Sequence, residues 1–120
     1  MTLIFVYGTL KRGQRNHSFL KNQEFLGEAR TIPQYRLYDR GSYPVLVEDR
    51  KGLCVQGEVW RVTDEVLHQM DELEEVPRVF SRRSINLQEF DAPVCAYFFN
   101  GDVAGLKDSQ RQWPPNQSIP

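Results

Sequence analysis

Thr2-Leu3-Ile4-Phe5-Val6-Tyr7-Gly8-Thr9-Leu10-Lys11-Arg12-Gly13 is the stretch whose reading decides the fold of this chain. Leu3 to Tyr7 is a continuous apolar run, the pattern of a strand buried on both faces. It stops at Gly8. The turn beyond is rich in groups that bind anions: backbone N–H, the Thr9 hydroxyl, and the charges of Lys11 and Arg12. A buried strand running into a glycine turn presents backbone donors to a ligand carboxylate or phosphate. A strand that merely ends in an ordinary turn has the same composition, and one glycine does not separate the two.

The rest of the chain narrows the class. With 120 residues it has the length of one domain and one sizeable core. Its 40% hydrophobic and 26% charged content is that of a soluble globular protein. The net charge of −1, with basic residues scattered apart from Arg82-Arg83, gives no electrostatic footprint for nucleic acid or a membrane surface, so neither is expected as a partner. Aromatic residues make up 12% and fall in strand-like segments, which favours a β-rich core. Cys54 and Cys95 lie in apolar runs without a CxxC or Cys/His cluster, so no zinc site is expected. They read as buried free thiols, with a disulfide between them left open. The opening residues do not resemble a signal peptide and no apolar run approaches a membrane span, so the expected address is the cytoplasm.

Outward from the first strand, His17 to Asn22 suits a short helix, and Phe25-Leu26-Gly27-Glu28-Ala29 opens a second extended piece. Tyr35 to Tyr38 alternates as a half-buried strand. Gly41-Ser42-Tyr43-Pro44 marks a turn before the apolar run Val45 to Val47. Val55-Gln56-Gly57-Glu58-Val59-Trp60 reads as a strand whose Gly57 marks a bulge or a close backbone approach. Val79 to Leu87 and Val94 to Phe99 read as a hairpin with Phe90 to Pro93 in its loop. Residues 1–99 form the expected domain. Residues 100–120 form a C-terminal tail, disordered or laid over the surface, with Trp113 as its one strong anchor.

A helix over Asp64–Glu74 supplies the sharpest chemical clue. Thr63 is its N-cap, Asp64 and Glu65 suit the positive end of the dipole, and Pro77 closes it. At about 100° per residue, Val66, Leu67, Met70 and Leu73 define one apolar arc. Asp71, Glu72 and Glu75 fall at its edge or opposite, as a solvated acidic face. Glu74 falls inside the arc. A carboxyl facing the core has its charged form disfavoured and its pKa raised, which suits general acid/base work near neutral pH. Two alternatives stand beside this: loss of helical phase that leaves Glu74 solvated, or an ion pair with Arg82 or Arg83. His17 and His68 have no metal spacing, and no nucleophile motif is present. Tyr7 and Tyr97 end apolar runs, where a core aromatic with a satisfied hydroxyl is the ordinary role and a ligand contact the other.

In order and spacing, Val6-Tyr7-Gly8-Thr9-Leu10-Lys11-Arg12-Gly13, Phe25-Leu26-Gly27, Gly41-Ser42-Tyr43-Pro44, Val55-Gln56-Gly57-Glu58-Val59-Trp60 and Met70-Asp71-Glu72-Leu73-Glu74 resemble the γ-glutamylcyclotransferase-like family. The nearest branch is the γ-glutamylamine cyclotransferase and AIG2-like proteins. The resemblance implies an α+β fold, a small mixed β-barrel with flanking helices. It implies a substrate pocket formed by Tyr7, Gly8, Thr9 and Leu10, with Tyr97 as a further contact, and Glu74 as general acid/base. The implied activity converts a γ-glutamyl amine or a related small γ-glutamyl compound to 5-oxoproline and a free amine, with no metal or cofactor. A non-catalytic module binding a metabolite or peptide end in the same pocket is the alternative. Another acyl-transfer substrate on the same scaffold is a third. Two departures bear on substrate choice. Glu75 stands where the family usually has glycine, and Phe80-Ser81-Arg82 stands where many members have a tyrosine two residues before the arginine.

Overall fold

The apolar run at the start forms β1 (Thr2–Val6), the middle strand of the larger of two sheets in the computed structural model, which describes residues 1–115. Alternate side chains of this strand enter two different cores. Phe5 and, just beyond the strand, Tyr7 pack on one side, Ile4 and Val6 on the other. A strand buried on both faces needs partners along both edges as well. It pairs antiparallel with β5 (Gln56–Val62), where Val6 faces Glu58, and parallel with β7 (Val94–Phe99), where Ile4 faces Cys95. The outer strands are β2 (Glu24–Arg30), on β5, and β6 (Phe80–Ile85), which forms the expected hairpin with β7. The sheet order is therefore β2-β5-β1-β7-β6.

Gly57 in β5 answers to a close approach. A Cβ there would lie 2.5 Å from the Phe5 ring and from the Val6 carbonyl. The bulge between these neighbours falls instead on β2, between Phe25 and Gly27, where Gly27 takes a φ of 145°.

A second sheet joins β3 (Tyr35–Asp39), β4 (Pro44–Glu48) and β8 (Lys107–Gln110) in the order β4-β3-β8. The fold is mixed α+β, but the implied barrel is not formed: the two sheets remain separate and each keeps its edges. One edge strand of each sheet is polar. The middle of β6 is Ser81-Arg82-Arg83-Ser84 and β8 is Lys107-Asp108-Ser109-Gln110, polar edges that resist further pairing. The small sheet still serves both cores, through Leu37 and Leu46 on one side and Val45 on the other.

The segment after Phe99 supplies β8. Arg36 of β3 bonds Asp108 at 2.6 Å, Ser109 is buried, and Trp113 enters the core while its indole N–H reaches Asp39 at 3.2 Å. Residues 116–120 of the expected tail lie outside the described residues. Both cysteines are free and half-buried. No helix among the described residues is long and apolar enough to cross a membrane.

Two short helical pieces lie against the second core. His17–Leu20 is a single 3₁₀ turn, shorter than the expected helix, with Leu20 as its buried residue. α1 (Asp64–Leu73) begins at Thr63, whose hydroxyl accepts the Val66 N–H at 3.2 Å. It buries Leu67 and Met70. It ends before Pro77 acts: Glu74 is the C-cap and Glu75 adopts a left-handed φ of 51°. Glycine would occupy that position without steric cost. Glu75→Gly is expected to stabilise the fold by about 1 kcal/mol. Urea denaturation of the two proteins reads this directly, and an unchanged or lowered midpoint contradicts it.

Candidate active site

A cavity of about 170 Å³ opens where β1 gives way to its loop. Its base is Tyr7, Gly8, Thr9, Leu10, Glu74 and Tyr97, so the chain brings all six expected site residues to one place. Arg15, Tyr43, Pro44, Val79 and Phe80 are among those that continue the wall.

The loop is fastened by its carbonyls. Gly8 O accepts the Lys11 N–H at 3.1 Å and Thr9 O accepts the Asn16 N–H at 2.9 Å. Leu10 O lies 3.0 Å from His17 Nδ1, which as the partner of a carbonyl must carry the proton. Asn16 Nδ2 donates to Thr9 Oγ1 at 3.0 Å, leaving the hydroxyl proton free to be offered onward. Among the described residues, the N–H groups of Gly8, Thr9 and Leu10 have no protein acceptor. Buried amides without partners are costly, and three in succession form a ready anion seat. Gly8 is required by its neighbour across the gap: a Cβ would sit 2.5 Å from Pro44 Cγ.

Glu58 holds the far end of this loop, a role that the sequence reading did not assign. Its buried carboxylate accepts the Arg12 N–H at 3.1 Å, Arg12 Nε at 3.0 Å and Trp60 Nε1 at 3.1 Å. The signal was present as an acid inside the strand pattern of β5, between Gly57 and Val59. The Arg12 guanidinium also lies over the Phe25 ring at 3.9 Å, and Phe25 packs on Trp60.

Glu74 faces the cavity at the end of α1, half-buried, as the helical arc predicted. Among the described residues, no hydrogen bond or ion pair engages its carboxylate. The two arginines that could have neutralised it are committed elsewhere. Arg82 makes a double contact with Asp71, at 2.9 and 3.1 Å, and Arg83 bonds Glu48 at 2.5 Å. Burial alone pushes the Glu74 carboxyl from 4.5 to about 7. Glu75 does not contribute, because its carboxylate turns outward to Arg78.

The two tyrosines point their protons away from Glu74. Tyr97 OH donates to Asp71 Oδ1 at 2.7 Å, and Tyr7 OH donates to the Tyr97 carbonyl at 2.6 Å. Burial raises both phenols; after burial, Glu74 raises Tyr7 further, and Asp71 followed by Glu74 raise Tyr97 further. Their rings line the cavity and their hydroxyls stay protonated. Asp71 departs from the expected solvated face: its side chain is only 21% exposed and joins Tyr97 to Arg82. Phe80 contributes an apolar wall without a hydroxyl. Among the described residues, no three His, Cys, Asp or Glu side chains gather where one metal ion could be held.

The chain is similar in sequence and fold to known proteins. The family described as Gamma-glutamyl cyclotransferase, AIG2-like matches residues 4–115. A Vibrio cholerae relative of the gamma-glutamylcyclotransferase type is 47% identical over 107 residues, 89% of this chain and 91% of its own length. Mouse gamma-glutamylaminecyclotransferase is 34% identical over 96 residues, 73% of this chain and 64% of that enzyme. The mouse AIG2-like crystal structure superposes with a TM-score of 0.75 at 30% identity, covering 83% of this chain and 78% of that one. The solution structure of Escherichia coli YtfP superposes at 0.74 and 32% identity over 94% of this chain and 96% of its own.

Two outcomes follow from the geometry. Gly8→Ala drives Cβ into the Pro44 ring and is expected to cost about 1–3 kcal/mol in thermal or urea unfolding; unchanged stability would show that the ring yields freely. For Glu74, the unfolded chain releases its proton near pH 4.5 and the folded chain near 7, so stability falls as pH rises across that window. Glu74→Gln, which keeps the neutral form, is then more stable than the parent above pH 7 by roughly 2 kcal/mol, discounted for partial exposure. The difference closes toward pH 4.5. Parallel stability curves from pH 4 to pH 8 would contradict the raised carboxyl.

Proposed function

The chain belongs to the Gamma-glutamyl cyclotransferase, AIG2-like family, and we propose that it catalyses intramolecular aminolysis of a small γ-glutamyl amine. The α-amine of the glutamyl group attacks its own γ-carbonyl carbon. A C–N bond forms to close the five-membered lactam of 5-oxoproline, and the bond to the original amide nitrogen breaks to release the amine. Nucleophile and electrophile belong to one molecule, so holding the glutamyl chain in a folded conformation removes much of the barrier.

The seat for the substrate's α-carboxylate is the run of unpaired N–H groups at Gly8, Thr9 and Leu10, supplemented by the Thr9 hydroxyl. The rings of Tyr7 and Tyr97 confine the glutamyl methylenes. Glu74 takes the proton from the attacking amine and returns it to the departing nitrogen, so one carboxyl serves both steps. A carboxyl near pH 7 is balanced for both directions of transfer, which a salt-bridged acid would not be. The observation that carries the reading is this pairing in one cavity of vacant amide donors with an unpartnered, partly desolvated acid.

The test uses purified protein and a panel of γ-glutamyl amines and dipeptides, with 5-oxoproline measured by mass spectrometry. Wild type is expected to form it, and Glu74→Gln to lose about a hundredfold to ten-thousandfold in kcat/KM while remaining folded. Because attack needs the ionised carboxylate, the wild-type kcat/KM rises with pH through a limb near 7. Retained turnover in Glu74→Gln would remove the acid from the reaction. Saturable binding of the panel with no product from wild type would identify a binding module.

A further inference from the structure

The rim of the cavity carries a charge that the proposed chemistry at its base does not use. Among the described lining residues, Arg15 is the cation. Glu75, the acid at the rim, is neutralised by Arg78. Among the described residues, Arg15 makes no ion pair, and its recorded hydrogen bond runs from Nη1 to the Ser42 carbonyl.

That bond matters for what the side chain can do. Ser42 lies in the turn between β3 and β4, next to Tyr43 and Pro44 of the cavity wall. Arg15 therefore reaches from the loop on one side of the mouth toward the turn on the other, with its head exposed. A guanidinium has five N–H donors in a planar fork, and one is committed to Ser42. The others remain for a ligand, and a carboxylate is the group that matches the fork.

Resting on the reading above, we propose that Arg15 selects γ-glutamyl substrates whose leaving amine bears a carboxylate, as in γ-glutamyl amino acids, by pairing with that carboxylate at the rim. With the α-carboxylate seated on the amides of Gly8 to Leu10 and the scissile carbonyl beside Glu74, the departing group extends toward the mouth. There it meets a positive charge that lacks a counter-ion among the described residues. A leaving group carrying only an ammonium meets the same charge with the neighbouring Glu75 already engaged, and is disfavoured.

The decisive comparison is γ-glutamyl-alanine against γ-glutamyl-isopropylamine, which differ by a methyl in place of the carboxylate. In wild type, kcat/KM is expected to favour the alanine compound about tenfold, the modest value of a solvent-facing charge pair. Added salt should narrow the ratio. In Arg15→Ala the ratio falls to near one, and Arg15→Lys restores part of it. A wild-type ratio near one overturns the proposal. So does a ratio that survives in Arg15→Ala, or a variant that loses both substrates equally, which would place Arg15 on the α-carboxylate common to both. Binding of the two compounds to wild type and Arg15→Ala is measured alongside. A binding preference that depends on Arg15, without turnover, would uphold the selectivity and refute the reaction; absence of that preference without turnover would refute both.

Discussion

The close packing of Gly8 on Pro44 is the constraint on which the cavity depends. β1 is buried on both faces, so its path is fixed by two cores, and the chain must leave it between the loop and the β3–β4 turn. With Pro44 Cγ only 2.5 Å from where a Cβ would stand, no residue but glycine fits that passage undisturbed. The consequence is electrostatic. The carbonyls of Gly8, Thr9 and Leu10 are all engaged by the following turn, and among the described residues the N–H groups of the same three are left over. Secondary structure would ordinarily have absorbed those donors. Here the close packing interrupts the sheet, and the buried Glu58 carboxylate pins Arg12 so that the loop cannot relax back onto it.

Asp71 and Glu74 show how one helix end gives two acids different environments. They are three residues apart and project toward the same end of the fold. Asp71 gathers Arg82 and the Tyr97 hydroxyl. Glu74 gathers neither, because the hydroxyls of Tyr7 and Tyr97 are directed away from it and Arg82 is already occupied. Desolvation then acts on Glu74 without opposition and brings its carboxyl to about 7. The Asp71–Arg82–Tyr97 contacts thus serve Glu74 indirectly, by absorbing the cation and the donor that would otherwise hold it ionised.

Much of this was legible in the sequence where hydrophobic periodicity carries the information. β1, the β6–β7 hairpin and α1 follow from apolar spacing, and the inward placement of Glu74 follows from helical phase alone. The failures have physical causes. β8 is Lys107-Asp108-Ser109-Gln110, with no apolar alternation to reveal it; backbone pairing and the Arg36–Asp108 contact make it a strand. The implied barrel is not formed, and no local pattern in the sequence reports whether two sheets join. The burial of Asp71 is hidden from a helical wheel because its partners come from β6 and β7. The role of Glu58 was obscured because its partners are a backbone amide and a guanidinium on a distant loop.

The same constraints explain why so few groups suffice at the base of the cavity and why variation can gather at its rim. On the proposed reaction, a substrate that supplies its own nucleophile asks the protein for a folded conformation, a seat for one carboxylate and one proton carrier. Those come from the glycine passage, where a Cβ would meet Pro44, and from the end of α1, packed on the second core. The departing amine asks for nothing at that depth. It is met by Arg15, Tyr43, Val79 and Phe80, side chains from the loop, the β3–β4 turn and the start of β6. Arg15 is exposed, so changing its charge leaves the packing of Phe5, Val6 and Met70 untouched. Selectivity for the leaving group can therefore shift by single substitutions at the rim, while the acid and its amide seat remain bound to the fold itself.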